Sequence, residues 1–182
     1  MSIDVTIKKN FRPGMTVEII AESDKESQEV TRGIVSKVLS RENHQKGIKV
    51  QLKTGQNGRV HHVPTKDELR LERFKFYNRF FFLPKIYSIW HKTDRRYYLL
   101  PYPIASGHEQ TAFLFTEKEG GEELMTLLSL ASNEYMVKEI NRRKPIVENF
   151  KSLPVEVYRI NRDKRITQDK LIELENYFKN MR

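Results

Sequence analysis

The sequence predicts an α+β protein in which a small β-barrel module comes first and a mixed domain of strands and helices follows. Short runs of alternating apolar and polar residues, separated by tight turns, fill the first 65 positions and are typical of strands. Later in the chain, such runs are interspersed with stretches whose apolar residues recur every three or four positions, as in amphipathic helices. The predicted domains are therefore residues 1–65 and 79–182, joined by a linker at 66–78.

The first module contains four predicted strands, at Met15–Ile20, Val30–Leu39, Ile48–Leu52 and Arg59–Val63. The third strand alternates most cleanly, so its polar residues point outward if its apolar residues point inward. A charged loop, Ser23–Glu29, separates the first two strands. Short strands joined by tight turns over about 55 residues predict a small curled barrel of the SH3-like type.

The second domain follows a short helical segment at Thr65–Arg73. A β-hairpin is predicted next, with strands at Phe80–Trp90 and Arg96–Tyr102, and then a strand at Thr111–Phe115. The remaining elements are a helix, a strand, a short helix, a strand and a C-terminal helix, at Glu122–Ala131, Tyr135–Ile140, Lys144–Leu153, Val155–Ile160 and Thr167–Met181. Thr167 is a suitable N-cap for the last helix, because its side chain can accept a hydrogen bond from a backbone N–H of the first turn.

Several motifs in the first module occur in the order of a known family. They are Arg12–Val17, Thr31–Val35, His44–Leu52 and Gly55–Val60. Over about residues 10 to 64, this pattern resembles the YwbE-like family of small bacterial proteins, and the resemblance implies a small barrel. By wider analogy of fold, the module is similar to KOW-type barrels of translation and transcription proteins.

A shorter pattern in the second domain gives a weaker resemblance. Tyr98–Pro101 followed by Thr111–Thr116 bears a faint similarity to the N-terminal module of SseB-type proteins. The role of the second domain is therefore unknown from sequence.

Composition excludes several classes of protein. Cysteine is absent, which excludes disulfides, thiolate metal sites and a cysteine nucleophile. This absence fits a reducing compartment, and we expect a cytoplasmic protein. The polar residues 1–10 lack the apolar core of a secretory signal, and no apolar run approaches about 18 residues. We therefore expect no transmembrane helix and no membrane partner.

Charge is unevenly distributed in the barrel module: Glu18–Glu29 has five acidic residues against Lys25 alone, whereas the segment that follows, Arg32–Arg59, is strongly basic. The whole chain has 33 Lys and Arg against 24 Asp and Glu, which gives a net charge of +9. Between Arg32 and Arg59 the only acidic residue is Glu42. A positive surface attracts phosphates and acidic proteins, so this segment is the first place to look for a binding site.

The predicted nucleic-acid-binding residues lie on the strands and turns of this segment. They are Arg32, Lys37, Arg41, His44, Lys46, Lys49, Lys53, Arg59 and His62. Lysine and arginine contact phosphates and release their counterions, and the histidines add hydrogen bonds. The alternative is a solvated face that keeps the protein soluble.

Two further groups of residues were candidates for a site. Phe76 and Tyr77 belong to an aromatic run interleaved with cations, which is typical either of base stacking or of a domain junction. His61 and His62 are adjacent on a strand and point to opposite faces, so with His44 they do not make a convincing metal site. The sequence predicts no metal.

The sequence favours a binding protein over an enzyme. It contains no GxxxxGK[ST], GxGxxG or GxSxG motif and no recognisable pair of catalytic carboxylates, so we predict neither catalysis nor a cofactor. The predicted function is binding of nucleic acid, with RNA or a ribonucleoprotein such as the ribosome favoured. The alternative is a factor that docks on an acidic surface of a host machine, such as a polymerase or nuclease, as accessory proteins of phages and mobile elements do.

Overall fold

The computed structural model describes residues 2–22 and 28–181. Three α-helices and eleven strands occur in this part of the chain, which confirms the α+β class. The chain divides into two compact units, residues 1–74 and 75–182. Most of the loop predicted for Ser23–Glu29 lies outside the described residues. Among the helices described, none is long and apolar enough to cross a membrane.

The first unit is a closed four-stranded barrel. Its strands are β1 (Thr16–Ala21), β2 (Val30–Val38), β3 (Lys49–Leu52) and β4 (Asn57–His62). Each strand is antiparallel to the next, and β4 pairs with β1 to close the sheet. The register shifts between Val35 and Lys37, so β2 bulges where the sheet must bend. All four predicted strands are therefore present.

Alternation along the strands builds the core of the barrel. In β3, Val50 and Leu52 are buried, whereas Lys49 and Gln51 are half-exposed, as the sequence pattern predicts. The core also takes residues from the other strands and the flanking segments: Phe11, Val17, Ile19, Ala21, Val35, Ile48, Val60 and Val63. The cations of the strands consequently remain on the outer surface.

Helix α1 (Lys66–Phe82) contains the predicted linker but is longer than expected. It begins at a capping box, in which the Glu68 N–H donates to the Thr65 hydroxyl and the Glu68 carboxylate accepts from the Thr65 N–H. The prediction that a strand starts at Phe80 is wrong, because Phe80–Phe82 form the last turn of the helix. Phe80 and Phe81 are buried in the core of the second unit, and Pro84 disfavours helix just beyond them.

The second unit contains two sheets and two more helices. Its elements are β5 (Tyr87–His91), β6 (Arg96–Tyr97), β7 (Leu99–Ile104), β8 (Gly107–Leu114), α2 (Lys118–Leu127), β9 (Tyr135–Glu139), β10 (Val157–Ile160), β11 (Lys164–Thr167) and α3 (Gln168–Lys179). One sheet has the order β11-β10-β8-β7, with β10 and β8 parallel, and the other has the order β6-β5-β9. The four-stranded sheet packs against α3 residues on one face and against α2 residues on the other.

Three predicted elements of the second unit differ from the structure. The helix predicted at Lys144–Leu153 is only a single 3₁₀ turn, Ile146–Asn149. Helix α2 begins before its predicted start and includes Gly120 and Gly121; a Cβ at Gly121 would lie 2.8 Å from Val137, so glycine allows close packing there. The segment predicted as the strand Arg96–Tyr102 is divided between β6 and β7, which belong to different sheets.

The N-cap of α3 is confirmed and gives a stability prediction. The Thr167 hydroxyl accepts a hydrogen bond from the Lys170 N–H at 3.4 Å. We expect Thr167→Ala to lower the free energy of unfolding of the second unit by about 1 kcal/mol, and Thr167→Ser to change it by a few tenths. Urea unfolding followed by fluorescence of Trp90, the single tryptophan of the chain, measures both variants. Equal stability of wild type and Thr167→Ala would contradict the cap.

A buried carboxylate on β8 is held by two arginines. Glu109 is only 5% exposed. Its carboxylate lies 2.8 Å from Nη2 of Arg165 and 3.5 Å from Nη2 of Arg159. The Arg159 guanidinium also lies over the Tyr102 ring, 3.9 Å from its centroid. The hydrogen bonds from Arg165, followed by the positive charges of both arginines, hold the pKa of Glu109 below its ordinary value of 4.5.

This ion cluster predicts a pH-dependent contribution to stability. Because the pKa of Glu109 is lowered by folding, its contribution is present above pH 4.5 and is lost as the pH falls through the folded-state pKa. Glu109→Gln should therefore destabilise the second unit at pH 7 but approach wild-type stability in acid, where the wild-type carboxyl is protonated. Unfolding curves at a series of pH values test this, and a difference that stays constant with pH would contradict it.

Candidate nucleic-acid interface

The first unit carries a groove of about 800 Å³ on its outer surface. One acidic residue, Glu22, lines this groove. The other residues of interest, here called the barrel groove, are His44, Gln45, Lys46, Arg59 and His61. They come from the loop between β2 and β3 and from strand β4. The groove therefore gathers three residues that the sequence predicted to bind nucleic acid, His44, Lys46 and Arg59, together with two that it did not, Gln45 and His61.

Gly47 shapes the loop that forms one wall of the groove. Its φ is +87°, a conformation that L side chains rarely adopt, and a Cβ atom there would overlap the Val60 carbonyl oxygen. The Gly47 N–H donates to the His44 carbonyl at 2.9 Å and closes the turn. The N-terminal segment fixes the loop from outside, since the His44 N–H donates to the Thr6 carbonyl at 2.9 Å.

His44 is oriented by its own loop. Its Nδ1 accepts a hydrogen bond from the Lys46 N–H at 3.1 Å. An imidazole that accepts at Nδ1 carries its proton at Nε2 in the neutral form. The neutral form of His44 thus offers an Nε2–H donor.

Arg59 is held in position while most of its donors remain available. Its Nη1 donates to the Gly47 carbonyl at 2.9 Å, which ties the guanidinium to the loop. An arginine has five N–H donors, and the others have no partner among the described residues. Lys49 lies directly opposite Arg59 in the pairing of β3 with β4. Unlike Arg59, Lys49 is paired with a carboxylate, because its Nζ lies 2.7 Å from Glu22.

Three predicted binding residues are already paired with carboxylates. Arg32 donates from Nε to Glu18 at 3.0 Å and from Nη2 to Glu72 at 2.9 Å. These two partners raise the pKa of Arg32 further, with the Glu72 hydrogen bond contributing most. Lys49 pairs with Glu22, and the ring of His62 lies 3.3 Å from Glu68. Because a neighbouring carboxylate offsets positive charge, we expect these three to contribute less to phosphate binding than Lys46 and Arg59.

Three other predicted cations are exposed but lie outside the groove. Lys37 is on β2, Arg41 follows β2, and Lys53 is in the turn after β3. Their charged groups form no ion pair with any other residue that the structure describes. They extend the positive surface of the barrel beyond the groove.

The predicted stacking residues lie on the second half of α1. Phe76 and Tyr77 are half-buried and pack against the core of the second unit, with their ring centroids 5.3 Å apart. Lys164 places its Nζ 5.8 Å from the centre of the Phe76 ring. Packing thus accounts for both side chains, and a role in stacking bases stays a prediction.

The two adjacent histidines of β4 contact different surroundings, as the alternation of a strand predicts. His61 lines the groove, whereas His62 faces Glu68.

Among residues 2–22 and 28–181, no three histidine, aspartate or glutamate side chains gather in a way that could hold a metal ion. His61 was missed as a site residue because its position in the groove depends on the loop at 44–47, which is far from it in sequence.

The fold and the groove define the first unit as a closed four-stranded barrel with a groove lined by two cations, two histidines and the acidic residue Glu22. A family model described as "Uncharacterized conserved protein (DUF2196)" matches residues 4–63, about a third of the chain. That segment includes every residue of the barrel groove. No curated protein matches the chain, and no solved structure matches it either. The YwbE-like resemblance stays a prediction.

Proposed function

We propose that this is a non-enzymatic RNA-binding protein whose SH3-like barrel holds the RNA backbone in the barrel groove, either on free RNA or within a ribonucleoprotein. The supporting observation is that Lys46, the tethered Arg59 and His44 line one concave surface. Charged donors with fixed geometry suit phosphate oxygens. The absence of cysteine fits a reducing compartment, and the proposal places the protein in the cytoplasm.

A polyanion fits this surface better than a single small anion. Besides the groove, the barrel offers Lys37, Arg41 and Lys53 as exposed cations. A nucleic acid can neutralise several of them at once and release the counterions of its own backbone. RNA is favoured over DNA because Gln45 and the two histidines of the groove can donate to or accept from a 2′-hydroxyl.

The proposal predicts that a labelled single-stranded RNA binds to the full chain, which fluorescence anisotropy measures at several salt concentrations. If three or four cations contact phosphates, log K should fall with log[salt] with a slope of about −2 to −3. A DNA strand of the same sequence should bind more weakly. Lack of RNA binding, or an affinity that does not change with salt, would overturn the proposal.

A further inference from the structure

A second, smaller pocket lies entirely within the second unit. Its volume is about 260 Å³. The residues that matter here, called the aromatic pocket, are His91, Asp94, Arg96, Tyr98, Gln110 and Tyr135. His91 ends β5, and Asp94 lies in the turn that follows it. Arg96 belongs to β6, Tyr98 precedes β7, Gln110 belongs to β8 and Tyr135 begins β9. Neither the barrel nor the RNA backbone site described above involves these residues.

Aromatic rings form much of the wall of this pocket. The His91 and Tyr135 rings meet edge to face with centroids 4.7 Å apart, and Tyr98 meets Tyr135 in the same way at 5.3 Å. The three side chains are half-buried. Neither tyrosine hydroxyl has a hydrogen-bond partner among the described residues. Burial raises the pKa of Tyr98, so its hydroxyl is a neutral donor at physiological pH.

Polar groups of the pocket are partly fixed and partly unused. Asp94 accepts from Arg96 at Nε (3.1 Å) and at Nη2 (2.9 Å), and its own N–H donates to Nδ1 of His91 at 3.1 Å. These contacts hold the Arg96 guanidinium and the His91 ring in place. The side-chain amide of half-buried Gln110, by contrast, has no partner in the described part of the chain.

The size and chemistry of the pocket suit one planar polar heterocycle. Pockets for drug-sized ligands commonly hold about 300–1,000 Å³, so this one is small. RNA-binding proteins recognise unstacked bases by packing them on aromatic or histidine rings and by hydrogen bonding to their edges. A glutamine amide can donate and accept in one plane, which matches the edge of a base.

We propose that the aromatic pocket binds one unstacked nucleobase of single-stranded RNA, with Gln110 at the edge of the base. This inference rests on the proposed function for the choice of ligand. It assigns to the second unit the reading of a base, whereas the barrel groove holds the backbone.

The test uses the four nucleoside 5′-monophosphates, titrated into the full chain by calorimetry. At least one should bind saturably, and ribose 5-phosphate, which lacks a base, should not. Gln110→Leu removes the amide with little change in volume and should weaken that nucleotide about tenfold. Tyr98→Leu should weaken it as well, whereas Tyr177→Leu, at an exposed tyrosine of α3, is the matched control and should have no effect. Fluorescence of Trp90 checks that each variant is folded.

The outcomes distinguish this inference from the proposed function. If no monophosphate binds, or if binding is unchanged in both Gln110→Leu and Tyr98→Leu, the base site is overturned even when RNA still binds with strong salt dependence. If a monophosphate binds and Gln110→Leu weakens it while RNA shows no salt-dependent binding, the pocket stands as a nucleotide site and the barrel proposal fails.

Discussion

Replacing both Lys46 and Arg59 with glutamine is expected to reduce the slope of log K against log[salt] for single-stranded RNA by about 1.4, because each lost phosphate contact removes about 0.7. Affinity at low salt should fall accordingly. The reason is local: these two cations line the groove and neither is paired with a carboxylate among the described residues. Fluorescence anisotropy over a range of salt concentrations gives both quantities for wild type and variant.

A matched control carries the same change in charge at another place. Lys66→Gln combined with Arg73→Gln removes two exposed cations from α1. Its RNA affinity should fall far less than that of the groove variant, and its slope should stay near that of wild type. Equal effects of the two double variants would mean that net charge, and not the groove, determines binding. Hydrogen exchange of β4 amides checks that loss of the Arg59 hydrogen bond leaves the barrel folded.

Arg32→Gln offers a second comparison inside the predicted face. Because Glu18 and Glu72 already bind the Arg32 guanidinium, we expect its neutralisation to change the salt slope less than neutralisation of Lys46 alone. The same anisotropy measurement applies. An effect of Arg32→Gln as large as that of Lys46→Gln would show that RNA displaces the carboxylates.

Gly47→Ala is expected to destabilise the barrel by at least about 2 kcal/mol, since it adds backbone strain of about 1–3 kcal/mol to a direct overlap with the Val60 carbonyl. The loop at 44–47 would have to move away from β4. Movement of that loop would separate Lys46 from Arg59, so RNA affinity should fall too. Hydrogen exchange of barrel amides measures the stability, because the first unit contains neither tryptophan nor tyrosine.

Gly55→Ala separates the two causes of this effect. Gly55 has nearly the same φ, +89°, but no atom lies within 4 Å of the position of an added Cβ. Gly55→Ala should therefore destabilise the barrel only by the backbone strain and leave RNA binding unchanged. If Gly47→Ala and Gly55→Ala lower the free energy of unfolding by the same small amount, the close contact between Gly47 and β4 does not determine the position of the loop that forms the groove.

Sequence reasoning was most successful where local pattern decides structure. The alternation of Ile48–Leu52 and the capping residue Thr167 depend on neighbours within a few positions, and both predictions are confirmed. The sequence pattern predicts a strand at Phe80–Phe82, because a short apolar run has the same appearance in a strand and in a buried helix. Only the packing of these rings on the core of the second unit decides between them.

The candidate site was predictable in composition but not in arrangement. The excess of cations between Arg32 and Arg59 is visible in the sequence. The pairing of Arg32 with Glu72, 40 positions away, depends on where α1 lies beside the barrel within the first unit, and no local pattern indicates it. The same holds for the aromatic pocket, whose residues come from several strands and the segments between them, from position 91 to position 135.

The central proposal, that the barrel binds RNA, is tested most directly by capturing partners of the purified full chain from a cell lysate, with one half of the lysate treated with ribonuclease. We predict that RNA is recovered from the untreated half, that the captured material is lost on ribonuclease treatment, and that Lys46→Gln with Arg59→Gln recovers much less. A defined protein that stays bound in stoichiometric amount after ribonuclease treatment, with no RNA recovered from the untreated half, would contradict the proposal and favour docking of the positive barrel on an acidic protein surface.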